Sequence, residues 1–216
     1  MARNGSVTTV LDAATRGLVK VAVGLPNASE LQLGDWMRRA IEDGTLPIWL
    51  EELLLMSVLY VGVPRALLVA AVFRRLEPNH ADGGEISQYE HWQEWLERGE
   101  ATCRVIYGKH YDQLRRNVQS LHPALDLWML VDGYGKTMSR PGLDLMRREL
   151  CSVAMLIPQN VPRQLLSHLK GALNAGATSA QVDGVLEIAG ALPVGEGYLE
   201  IARGLWQELK DTLLHD

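Results

Sequence analysis

LDLMRRELCSVAMLIPQNVPRQLLSHLKGALNAGATSAQ, residues 143–181, decides the fold. Two apolar-rich runs, 145–157 and 161–175, flank the break Pro158-Gln159-Asn160. Their apolar residues recur at three- and four-residue intervals, the period of a helix with one buried face. Asp144 stands where an N-cap accepts hydrogen bonds from the free N–H groups of a first turn. Gly176 stands where a helix stops, and Thr178 with Gln181 three residues on is a capping box that opens another helix. The stretch predicts a helical hairpin with a third helix behind it.

The remaining chain reads the same way. Helices are expected over 6–25, ended by Pro26-Asn27, then over 31–42, 46–60 and 64–76, with Gly62 and Pro64 as a break. A polar loop at 79–84 precedes one or two surface helices over 89–111 and another helix over 121–138. Arg140-Pro141-Gly142 is a turn, and Pro193 leads into a last helix ending near 214. No stretch carries a strand pattern. The prediction is an all-α helical bundle, and 47% apolar with 22% charged residues is enough for a packed core.

A net charge of −5 and no basic cluster larger than a pair such as Arg74-Arg75 argue against a nucleic-acid partner. Residues 1–9 lack the basic and apolar regions of a signal peptide. The apolar stretch 53–73 is interrupted by Pro64-Arg65. A membrane span needs roughly 20 unbroken apolar residues, so two buried helices and no membrane partner are expected. Cys103 and Cys151 are far apart and form no disulfide framework, which points to the cytoplasm.

Val63-Pro64-Arg65-Ala66-Leu67-Leu68 nearly recurs as Val161-Pro162-Arg163-Gln164-Leu165-Leu166, an offset of 161 − 63 = 98 that Glu51 and Glu149 share. We read a tandem duplication of a helix–turn–helix unit, with a degenerate first repeat at 1–82 and a second at 83–216. A coincidence of two helical hairpins is the alternative. The copies differ where chemistry would reside, because Ala70 stands opposite His168.

Positions 161, 164 and 168 are spaced i, i+3, i+7, so Val161, Gln164 and His168 share one helix face. Glu149 on the preceding antiparallel helix is placed to face His168, and a carboxylate beside an imidazole can divide proton donor and acceptor roles. Two blander readings stay open. His168 is a core histidine satisfied by a backbone group, or Glu149 is a buried charge paired for structure, as its recurrence in Glu51 without a matching His suggests. Asn174 is expected to help end its helix, and His80 shows no partner pattern. No His, Asp or Glu set has metal-ligand spacing and no glycine loop suits a phosphate, so no metal or cofactor is expected.

Arg98-Gly99-Glu100, Tyr107-Gly108, Ser139-Arg140-Pro141-Gly142-Leu143-Asp144, Arg148-Glu149-Leu150 and the run 167–178 together resemble the carboxymuconolactone decarboxylase family, in that family's order and over about 98–209. The resemblance implies the helical bundle of the alkylhydroperoxidase D superfamily. It also implies an active site joining a helix Glu to a C-x-x-C-x-x-x-H helix. Glu149 and His168 fit that frame, whereas the two cysteine positions fall on Val161 and Gln164. The implied activity is a cofactor-free lyase acting on a small, acidic, carboxylated lactone or related acid. In that reading His168 donates the proton, Glu149 orients it, and Arg140 clamps the substrate anion. Gln164, Tyr134 and Met138 face the substrate, the last two standing where the family often has Trp. The alternatives are a thiol-dependent antioxidant enzyme and a non-catalytic oligomeric small-molecule binder. Family members commonly form closed rings, so a chain with two repeats is expected to be a homo-oligomer, with a homotrimer favoured.

Overall fold

The computed structural model describes residues 11–80 and 89–214, and among them the chain is helical with no strand. Helix α1, Ala13–Gly24, is opened by Asp12, whose carboxylate accepts from Thr15 N at 2.8 Å. The expected start of this helix at 6–10 lies outside the described residues, as does the expected boundary between 82 and 83. Helix α2, Glu30–Glu42, begins with a capping box between Ser29 and Gln32. Helix α3, Pro47–Leu76, breaks at Gly62, where φ 75° and ψ 164° leave the helical region. Only glycine takes that backbone conformation without strain, and Pro64 then restarts the helix with no N–H to lose. By length and composition α3 is long and apolar enough to cross a membrane, a test that a core helix of a soluble protein also passes. Its inner face buries Leu50, Leu53, Met56 and Phe73 together with the carboxylates of Glu51 and Glu52. Leu55, Val58, Leu59, Val63 and Leu67 remain exposed, so the two segments are half-buried rather than buried.

The second half contains α4, Trp92–Tyr107; α5, Tyr111–Leu121; α6, Pro123–Trp128; a π-helix, Met129–Met138; and α7 to α10, at Leu145–Leu156, Pro162–Asn174, Ser179–Gly190 and Glu196–Leu213. The single helix expected over 121–138 is three pieces. His122 is extended, Pro123 begins a new helix, and after Trp128 the winding widens. The widened segment packs tightly against α4. A Cβ on Gly99 would strike Leu130 O, and one on Gly135 would strike Trp95 O. The backbones therefore approach as only glycine allows. Thr137 Oγ1 reinforces the wide turn by donating to Asp132 O, five residues back, at 2.6 Å.

Helix α7 is the axis of the molecule, buried at every position from 148 to 156. It packs against α1, α3, α8 and α9. The hydrophobic cluster around it runs without a break from Leu18 on α1 to Leu209 on α10. Full burial of each such aliphatic side chain contributes roughly 1.5–3 kcal/mol before chain entropy is charged against it. The halves thus share one core. Their backbones also keep step: α3 starts at Pro47 and α7 at Leu145, and 145 − 47 = 98. Gly44 and Gly142 have φ 98° and 92°, while Gly62 and Asn160 have φ 75° and 52°. Both of these pairs also lie 98 apart. The caps expected at Asp144, Gly176 and Thr178 are present. Asn174 does not end α8 through its backbone. Its side-chain amide donates to Ile106 O at 2.8 Å and ties α8 to α4.

Candidate active site

The site begins with the hairpin of α7 and α8. Asp144 Oδ1 accepts from Arg147 N at 3.0 Å and fixes the start of α7. Asn160 takes a left-handed conformation in the turn, and Pro162 opens α8. The two helices then set Glu149 against His168, with Glu149 Oε2 and His168 Nδ1 2.8 Å apart. Glu149 is fully buried, its second oxygen Oε1 has no hydrogen-bond partner among the described residues, and His168 is nearly covered. A carboxylate this deep accepts from Nδ1–H, which fixes the tautomer and makes Nε2 the working nitrogen. Neutral imidazole then takes a proton at Nε2, and the imidazolium that results has its charge answered by Glu149.

His168 lines a cavity of about 540 Å³, within the usual range for small-molecule sites. The π-helix and its approach supply one wall through Trp128, Met129, Tyr134 and Met138. Its wide winding brings residues five apart, such as Met129 and Tyr134, to the same side. Leu156 of α7 and Gln164 of α8 close another side. Tyr60 and Leu59 reach in from α3, so the first half completes the site. The Tyr60 ring meets His168 edge-on, with centroids 5.8 Å apart. Ser152 Oγ donates to Arg148 O at 2.9 Å. The contact of 2.6 Å between Tyr60 OH and Ser152 Oγ therefore has Tyr60 as donor. Tyr134 OH donates to Tyr107 OH at 3.0 Å. Burial, followed by the charge of Glu149, pushes the Tyr60 hydroxyl well above its ordinary range. Burial raises Tyr107 and Tyr134 in the same direction, so all three phenols stay protonated.

The structure brings together His168, Glu149, Gln164, Tyr134 and Met138. Arg140 lies elsewhere, which corrects its expected role as a substrate clamp. Its Nε and Nη2 donate to Glu52 at 3.0–3.1 Å, and Arg148 Nη2 donates to the same carboxylate at 2.8 Å. Arg148 also donates to Leu143 O and Arg140 O. All three side chains are buried, and burial lowers the Arg148 pKa despite Glu52. This cluster is a clasp between the halves, its guanidinium groups spent on structure. Val161 stands at the start of α8 outside the cavity lining, so only Gln164 and His168 of the expected face share the site. Glu51 has a histidine after all: His80 Nε2 lies 2.9 Å from Glu51 Oε2, with Arg74 at 3.4 Å. Cys103 and Cys151 are both buried and neither lines the cavity. Burial pushes the Cys103 thiol up to about 12 and raises Cys151 as well.

Sequence reasoning missed Tyr60, Leu59, Trp128, Asp132 and Ser152. One signal for Tyr60 was available: it lies just before the Gly62 break, as Pro158 lies just before Asn160. That places it at the end of the helix aligned with α7.

The carboxymuconolactone decarboxylase family profile matches residues 124–199, from α6 into α10. An uncharacterised 15.0 kDa protein of Paracoccus denitrificans is 30% identical over 124 residues, 54% of this chain and 91% of that protein. The chain belongs to the carboxymuconolactone decarboxylase family. "Peroxisomal protein 2" of Schizosaccharomyces pombe is 39% identical over 93 residues, 43% of this chain and 44% of that protein. "Peroxisomal protein 2" of Saccharomyces cerevisiae is 36% identical over 95 residues, 44% of this chain and 34% of that protein. The chain thus spans less than half the length of these two yeast relatives.

Proposed function

We propose that the protein is a cofactor-free proton-transfer enzyme acting on a small carbon acid, such as a lactone or related carbonyl compound. The observation that carries this reading is the 2.8 Å contact of His168 Nδ1 with the buried Glu149 at the wall of a solvent-open cavity. Nε2 removes a proton from a carbon next to the carbonyl, the electron pair passes into an enolate, and the imidazolium returns the proton to carbon. A carboxy-lyase would use the same imidazolium to protonate the dienolate left when carbon dioxide departs. That version needs a cation to hold the carboxylate, and Arg140 is committed to Glu52. The thiol-dependent alternative has Val161 and Gln164 in place of its cysteine pair, and a dithiol peroxidase depends on an accessible thiolate.

The shared offsets of helices and left-handed residues support a tandem duplication with repeats at 1–82 and 83–216. The exposed apolar row on α3 supports a homo-oligomer, with a trimer as the closed form favoured. An intracellular setting, cytoplasmic or peroxisomal, fits two free buried thiols and the names of the yeast relatives.

The test is solvent-deuterium incorporation into unsaturated lactones, followed by NMR. Wild-type protein should catalyse exchange, and His168→Ala should slow it by ~10²–10⁴. Equal exchange by the two proteins sinks the proposal.

A further inference from the structure

We infer that the cavity selects an uncharged, largely apolar molecule with one hydrogen-bonding head, and discriminates against carboxylates. This rests on the cavity beside His168 being the active site. Three observations point the same way.

The first is the lining. Leu59, Leu125, Trp128, Met129, Met138 and Leu156 make its walls, and its polar side chains are those of His168, Gln164, Tyr60, Tyr134 and Asp132. Such a surface rewards burial of apolar area at roughly 25 cal/mol per Å² and gives nothing to a second charged group.

The second is the charge. Among the described residues no Lys or Arg lines the cavity, and the one lining carboxylate is Asp132. Lys136 Nζ is held by Asp132 at 3.2 Å and Tyr89 OH at 2.7 Å, and it sits over the Tyr89 ring at 4.5 Å. It is thereby bound to the partners that hold it. Arg140 and Arg148 are bound to Glu52. An anion entering the cavity would give up hydration and meet an imidazole backed by the buried carboxyl group of Glu149, with no guanidinium or ammonium to answer its charge.

The third is the state of the phenols. Tyr60 is held protonated and spends its proton on Ser152, and Tyr134 spends its own on Tyr107. With both phenol protons engaged, an acceptor head such as a lactone carbonyl takes its hydrogen bond from the Gln164 amide and turns its acidic C–H toward His168 Nε2.

The matched probes are δ-decalactone and 5-hydroxydecanoate, one carbon skeleton without and with a charge. Calorimetric titration at pH 7.5 should show the lactone bound at least ten-fold more tightly. Gln164 is exposed at the cavity edge, so Gln164→Lys should fold normally. Its added ammonium should shift the ratio of the two affinities about ten-fold toward hydroxydecanoate. Equal or tighter binding of the hydroxy acid by wild-type protein overturns the inference, and so does failure of both probes to bind below about 1 mM. Deuterium exchange measured on the same wild-type protein separates this inference from the catalytic reading. A retained lactone preference with no deuterium exchange in wild-type protein removes the proton-transfer function and leaves the selectivity standing.

Discussion

A methyl group on Gly171 would lie 2.5 Å from Glu149 Oε2, the oxygen that holds His168, and 2.8 Å from Ile106 Cγ2. Helix α8 therefore needs its glycine for the dyad rather than for a turn. Gly171→Ala should push the carboxylate off the imidazole. Overpacking of a filled core costs about 1–3 kcal/mol, and lactone exchange should fall about ten-fold or more. Urea unfolding and exchange measured on the same sample check both effects. Unchanged exchange would show that the 2.8 Å contact is dispensable.

The clasp at Glu52 gives a prediction about stability alone. Glu52→Ala leaves Arg140 and Arg148 buried without their carboxylate, and breaking a buried pair this way costs about 3–5 kcal/mol. Arg140→Met removes one charge and keeps the Arg148–Glu52 bond, so it should cost less. Chemical denaturation of the two variants decides the order. Because Arg140 lies outside the cavity, lactone affinity in Arg140→Met should match that of wild-type protein.

Alkaline behaviour follows from Cys103. Its thiol is raised from an ordinary 9.0 to about 12 by burial, with Arg115 opposing and Glu149 adding. Between those values the folded protein keeps a proton that the unfolded chain has lost. The contribution is full below pH 9 and is lost as pH rises toward 12. Stability should fall across that window, and less steeply in Cys103→Ala. In the native protein at pH 8 neither thiol should react with an aromatic disulfide reagent, and both should react in denaturant. Fast native labelling would contradict the burial described here.

The apolar row on α3 sets the assembly test. Val63 is 56% exposed and Leu67 65%, and apolar faces of this kind mark contact surfaces. Light scattering should give a mass near three times the 24.0 kDa chain, and Leu67→Lys should lower it. A mass near that of one chain at all concentrations excludes the ring.

The hairpin of α7 and α8 was legible because its evidence is local. Asp144, Gly176 and the Thr178–Gln181 pair act within one turn of themselves, and helical period sets Glu149 against His168. Arg140 was misread because an arginine on a turn looks available until its partner appears, and Glu52 lies 88 residues away. The π-helix was illegible for a related reason. It packs on α4 through Gly99 and Gly135 meeting across two helices, and a hydrophobic pattern carries no record of backbone approach. His80 gave no pattern because its partner Glu51 is 29 residues back, beyond any helical spacing.

Tyr60 and Leu59 come from outside the stretch that the family profile recognises, and so does Tyr107 on α4. A fragment cut to 124–199 would keep His168 and Glu149 but lose the roof above them. Inheritance follows the same line. A relative that shares only the hairpin inherits the dyad, while the aromatic ring set edge-on against its imidazole comes from a segment free to drift separately.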